Sequence, residues 1–389
     1  KMQDNKLTGY FYIKKVIIMN PNYFKANFKI AIKSKKNILL VCLLIIFMTF
    51  FVFVVESQKI GDGSRQWRDY AESVQVNTDY FDGSLLRKKN YKQTYDNLNK
   101  QSVYIAVLQN GEAFNDPQSY LRGSENLIKT MLAGYRNNYK GAKTLNIPAK
   151  YELYQQLVLY KYLYKHRIPI VMSSKSSSTY LIYILSLVGA FIFLYVLFIS
   201  SDIWMLKLNH STVLKNIPYR IEDEIIGKIN INIALTIIPL VIGMCGAYLF
   251  AGIRNGFSSL RYPDVFYITK ITAIPLWSYC LLFLLYSIVI VIFATSLTLV
   301  LNQITKNVYL SILIGMLILM ISFLPERMSK YLLWLPSMYL NITKVFNGTV
   351  ANITNLSFIN CLVGTFVLIM WSLVLMISFR SLVDKGRNV

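Results

Sequence analysis

The chain has 389 residues, of which 54% are hydrophobic and only 15% charged, with a mean hydropathy of +0.42. Soluble domains carry about 25% charged residues, so the composition excludes one large water-soluble core and indicates an integral membrane protein. The 41 basic and 19 acidic residues leave a net charge of +22, which in so apolar a chain reads as the flanks of membrane spans facing anionic lipid rather than as a nucleic-acid surface.

In chain order, residues 1–18 are too short and too charged to span, and they lack the apolar core of a signal peptide. Met19 is a candidate natural start. Residues 1–37 hold nine basic residues and one acid, which places this end on the cytoplasmic side. Within it, Asn20–Asn37 sets Tyr23, Phe24, Phe28, Ala31 and Ile32 against Lys25, Lys29, Lys33, Lys35 and Lys36. That pattern is an interfacial amphipathic helix; the simpler alternative is a basic juxtamembrane anchor. A crossing helix needs about 20 apolar residues, and six runs qualify: 38–55, 180–201, 229–253, 271–301, 308–324 and 358–379. None contains Asp, Glu, Lys or Arg. Pro275 reads as an interfacial start to the fourth. Six spans return the basic tail, 380–389, to the cytoplasm.

Between spans one and two lies a segment, 56–179, of domain size. Its 18 basic and 11 acidic residues do not disturb the orientation, because long segments translocate regardless of charge. Tyr120, Leu121, Leu127, Ile128, Met131, Leu132 and Tyr135 recur at helical spacing, and Lys150–His166 reads as a second helix. "KIGDGSR" and "NGEAFNDP" read as turns, and Ser173–Ser178 as a flexible hinge. The expected fold is therefore an all-α polytopic membrane protein with six transmembrane helices and a mainly helical extracellular domain. The tyrosines of Lys150–His166 are more simply core and rim than a binding surface.

The cytoplasmic connector, 202–228, is dense in charge. A short helix with Trp204, Leu206, Leu208, Val213, Leu214 and Ile217 breaks at Pro218, and a second helix starts with Glu222, Asp223 and Glu224, acids that favour a helix N-terminus. The simpler reading of Arg220, Glu222 and Lys228 is that they anchor a helix end to headgroups and pair with one another. Exposed pairs contribute only ~0–1 kcal/mol, so the cluster reads as a docking surface that fixes orientation and specificity.

This connector resembles that of the type-two ABC transporter permeases of the exporter branch. The family's acid after span two, its leucine-bearing coupling helix and its P-x-R…G-K element fall here on Asp202, Leu208, Leu214, Pro218, Arg220, Gly227 and Lys228. The amphipathic helix at 20–37 is similar to the family's elbow helix, and "LPSMYLN…VFNG", Leu335–Gly348, to its external re-entrant region, here 325–357. The resemblance covers the six-span plan and roughly the last 200 residues; the domain at 56–179 departs from the smallest members. It implies a permease subunit, not an enzyme, paired with a second copy or a sister permease. Two copies of a separate ATPase would grip Asp202, Lys207, Leu208, His210, Leu214, Pro218, Arg220, Glu222, Gly227 and Lys228. No G-x-x-x-x-G-K-[ST] loop occurs, so ATP and Mg belong to that partner chain and this one is expected to bind no cofactor.

Spans without ionisable groups argue against ion-coupled carriage and suit an amphipathic peptide, an antimicrobial or a lipid-like passenger. Asn230, Asn232, Thr295, Ser296 and Thr298 are the mild polar groups along such a path, each more simply an interhelical hydrogen bonder. Cys42, Cys245, Cys280 and Cys361 lie in apolar runs, and His166 and His210 stand far apart, so neither a disulfide framework nor a metal site is expected. Richness in Ile, Lys, Asn and Tyr points to a bacterial cytoplasmic membrane, where the Asn-X-Ser/Thr triplets of 341–357 are coincidental. A rival of another class is a non-transporting sensor whose extracellular domain binds a ligand and signals through the connector.

Overall fold

The computed structural model describes residues 21–58, 60, 63–143, 145–171, 175–209, 221–323 and 331–387. The chain starts with α1 (Pro21–Lys33) and, after a break at Ser34, α2 (Lys35–Phe50) and α3 (Val52–Ser57), which run as one 23-residue apolar stretch. Next come α4 (Gly63–Asp79), α5 (Lys89–Ala113), α6 (Pro117–Gly134) and α7 (Lys150–His166). Then follow α8 (Ser177–Ser200), α9 (Met205–Asn209), α10 (Ile221–Asn255), the strands β1 (Pro263–Tyr267) and β2 (Ile271–Pro275), α11 (Leu276–Thr305) and α12 (Val308–Met320). The short helices α13 (Ile342–Phe346) and α14 (Thr349–Thr354) lead into α15 (Cys361–Arg387).

Among the described residues five helices are long and apolar enough to cross a membrane: Lys35–Ser57, Ser177–Ser200, Ile221–Asn255, Leu276–Thr305 and Cys361–Asp384. By length and composition the chain is thus a largely helical, multi-pass membrane protein. The expected fifth span, 308–324, forms a shorter apolar helix, Val308–Phe323, whose last residues tighten into a 3-10 turn. At 1.5 Å per residue it rises about 24 Å, against the roughly 30 Å of a bilayer core.

Helices α8 and α11 are the most buried of the long helices, with α2 and α15 at the outside. Their core runs through Ile184, Val188, Phe193, Leu240, Phe283, Ile290 and Leu368. Phe28 and Ala31 of α1 pack against Ile199, Ile231 and Leu235, and the Asn37 amide donates to the Ala31 carbonyl at 3.0 Å. Ile30 and Ile32 of α1 are exposed.

A second, separate core unites α4 to α7 through Trp67, Val74, Leu98, Leu108, Leu127, Met131, Leu153 and Leu163. Two of the expected turns are partly helical. Gly63–Arg65 already belongs to α4, and α5 continues to Ala113 before Asp116 caps α6 by accepting from the Gln118 and Ser119 amides at 3.0 and 3.3 Å. The serine hinge is corrected in its described half. Ser176, Ser177 and Ser178 are buried, and Ser178 N–H donates to Ser258 Oγ while Ser258 N–H donates to Ser177 Oγ, both at 2.8 Å. Short hydroxyl side chains here take the place of water on buried backbone groups.

The all-α expectation also misses one element. β1 and β2 pair antiparallel, Pro263 against Pro275 and Tyr267 against Ile271, so 271–275 is strand and α11 starts only at Leu276, with Pro275 as its N-cap. This hairpin and the Asn347–Gly348 corner receive α7: the Tyr151 hydroxyl and the Gln155 amide both donate to the Asn347 carbonyl, at 2.9 and 2.8 Å.

Candidate functional site

The connector leaves α8 at Ser201 and turns at once into α9. This turn is organised by Trp204, a side chain only 2% exposed. Its indole N–H donates to Gln303 Oε1 at 2.9 Å, and the edge of Phe379 from α15 meets its ring at a centroid distance of 4.8 Å. Two ammonium groups, Lys207 and Lys228, lie over the same ring at 4.5 and 4.4 Å from the centroid. A cation over an indole face contributes about 0.5–2 kcal/mol, more as water is removed.

The charges close on one carboxylate. Glu224, in the first turn of α10, pairs with Lys207 and, at 3.1 Å, with Lys228. Lys228 also donates to the Ile203 carbonyl at 2.6 Å. Two positive charges therefore share one negative charge, and the indole face and a backbone carbonyl take up the remainder. The arrangement ties the connector turn, α9, α10, the end of α11 and α15 into one unit. Around it stand two exposed pairs. Lys36 of α2 reaches Asp202 and also donates to Ser201 Oγ at 3.1 Å and the Ile199 carbonyl at 3.2 Å. Glu222 pairs with Arg380 at 3.1 Å.

Of the residues singled out from the sequence, Lys207, Leu208 and Lys228 come together here, with Gly227 buried on the same helix as Lys228 and Asp202 and Glu222 at the rim. His210, Leu214, Pro218 and Arg220 lie outside the described residues. Among the described residues Glu222 meets Arg380 of α15 and Glu224 pairs with Lys228, while the expected pairing of Arg220 lies outside them. The Glu224–Lys228 spacing of four on a helix is a pairing signal legible in sequence. Nothing in sequence announces Trp204 as the hub, or Gln303 and Phe379 as its partners, because they meet only when α11 and α15 pack.

The mild polar groups form interhelical and local ties. Asn232 Nδ2 donates to Thr295 Oγ1 at 3.0 Å, Thr298 and Ser200 share a hydrogen bond of 2.9 Å, and Ser296 donates to its own helix at Ile292. Asn230 is exposed. Among the described residues no group of three or more His, Cys, Asp or Glu side chains is placed to hold a metal ion. No protein-family model, curated protein or solved structure matches the chain.

Proposed function

We propose that the chain is the permease subunit of a bacterial ABC exporter, seated in the cytoplasmic membrane and driven by a separate ATPase. In this reading α1 is the elbow helix on the inner leaflet, Val308–Phe323 completes six spans, and the domain of α4–α7 is extracellular. A second permease copy or sister chain closes the path. The passenger is an amphipathic peptide, an antimicrobial or a lipid-like molecule.

The observation that carries the reading is the Trp204 unit. A partner that grips α9 or the start of α10 pulls on α8, α10, α11 and α15 together, because Trp204, Lys207, Glu224, Lys228, Gln303 and Phe379 bind their ends to one another. Glu222, Arg380 and Asp202 stay exposed at its rim, where a partner's charges can reach them. ATP binding and hydrolysis then need no residue of this chain; its part is to convert movement of the connector into movement of the spans. The sensor reading is favoured by the bonding of α7 to the Asn347 corner, which links the external domain to the membrane helices. Net flux of a passenger separates the two.

Reversing Glu222 and Arg220 tests the docking role: ATPase activity uncouples from transport while membrane insertion persists. Because Glu222 also pairs with Arg380, the swap Glu222→Arg with Arg380→Glu restores the internal pair alone. Continued uncoupling in the swap supports docking, and full recovery assigns Glu222 to an internal role.

A further inference from the structure

Away from the connector, the domain of α4–α7 carries a cleft of about 440 Å³ lined by Lys88, Lys89, Asn90, Tyr91, Lys140 and Gly141. Three lysines from two separate segments line it, and none of them forms an ion pair with a described carboxylate. The acid nearest in sequence, Asp82, turns its carboxylate to the Ser84 amide and hydroxyl at 2.9 and 2.7 Å. Lys88 lies over the Tyr91 ring, 5.8 Å from its centroid, and like charges gathered without a counter-charge repel one another.

The wall that carries Lys140 is held in a costly shape. Asn138 and Tyr139 both have φ of 48°, and Gly141 has φ of 99°. A bulky residue such as Tyr in this region stores on the order of 1–3 kcal/mol. A buried network imposes it: the Tyr139 hydroxyl donates to the Met131 carbonyl at 2.8 Å and accepts from Gln101 Nε2 at 3.1 Å, while Gln101 accepts from Tyr70. Gly141 forms the floor, where a Cβ would come within 2.8 Å of the Phe81 ring and 3.0 Å of Tyr91. The loop is thus fixed by the core beneath it in the one conformation that brings Lys140 to the cleft wall with Lys88 and Lys89.

We propose that this cleft binds a phosphate ester. Lysines recognise phosphate as point charges, three of them match a group carrying up to two negative charges, and Asn90 adds amide donors beside them. The cleft volume suits a small ligand or a headgroup. The inference stands apart from the permease reading, since neither the connector nor transport enters it.

The test uses the full chain in phosphatidylcholine nanodiscs. Calorimetric titration with glycerol 3-phosphate probes a free ester, and co-flotation with vesicles of phosphatidylglycerol, against phosphatidylcholine alone, probes a headgroup. Binding to either probe that weakens with salt, and at least tenfold in Lys88→Gln/Lys89→Gln/Lys140→Gln, is expected; which probe binds identifies the source. A control with the same loss of charge, Lys100→Gln/Lys161→Gln/Lys165→Gln, retains binding. Equal weakening in the control, or no binding to either probe, overturns the proposal.

Discussion

Asp264 stands on β1 opposite Ile274, with the Val265 amide donating to its carboxylate at 2.7 Å. Tyr262 on the lead-in to β1 and Tyr279 and Cys280 on α11 face it, and Tyr160 of α7 reaches Tyr262. Strand β2 offers no titratable group, and Lys344 of α13 donates to the Ser322 carbonyl instead. Burial without a cation pushes the carboxyl from its ordinary 3.8 up to about 7. The fold therefore keeps a proton that the unfolded chain releases, and this residue's contribution to stability declines as pH rises from 3.8 to about 7, then levels. Thermal unfolding in detergent is expected to show Asp264→Asn gaining on the native chain through that window, with a constant difference above it. Parallel curves would contradict the assignment. At the connector, Glu224→Gln leaves Lys207 and Lys228 without their shared carboxylate, and a loss of roughly 3 kcal/mol is expected from breaking a largely buried pair. Adding Lys228→Met should recover part of it, measured as a double-mutant cycle by denaturant unfolding.

The corner at Asn347–Gly348, beside the β1–β2 hairpin, joins the two cores. Gly348 has φ of 73°, and a Cβ there would lie 2.4 Å from the Tyr151 hydroxyl and 2.5 Å from the Tyr267 ring. Gly348→Ala thus combines a left-handed backbone cost of about 1–2 kcal/mol with a clash. Faster amide exchange in α7 is expected, with the amides of α5 and α6 unchanged; unaltered α7 exchange would show that the corner does not hold the domain. The long helices were legible in the sequence as unbroken apolar runs, and the stripe of α6 because its buried positions follow a 3.6-residue period. Helix α5 was not, since its buried positions Thr94, Leu98, Gln101, Ile105 and Leu108 keep helical spacing but put polar residues at two of them. Those two bury by hydrogen bonding, Thr94 to the Asn90 carbonyl and Gln101 to Asn97 and Tyr139. The hairpin was hidden for another reason: Ile271–Pro275 carries no charge and runs without a polar break into the apolar helix it precedes. In the connector, Asp202, Lys207 and Lys228 could be chosen from their charge and place in the chain, whereas the indole that organises them could not.

As a whole, the molecule is two packed bodies of side chains, one among long apolar helices and one in the domain of α4–α7, with charge concentrated at the connector end of the former. Glu56 pairs with Arg254 at 2.7 Å and accepts from Asn255, fastening the end of α3 to the end of α10 near the domain. The Trp204 unit fastens the opposite end of α10 to α11 and α15. Helix α10 is thereby fastened at both ends, and in the proposed permease reading a push on the connector would travel along it. The most direct test is purification of the chain from its native membrane in mild detergent, with mass spectrometry of what accompanies it. A P-loop ATPase of about 25–35 kDa, the size of a one-domain nucleotide-binding subunit, is predicted in the native preparation and lost from Glu222→Arg. Purification without an ATPase, under conditions that keep other membrane complexes intact, would contradict the permease reading.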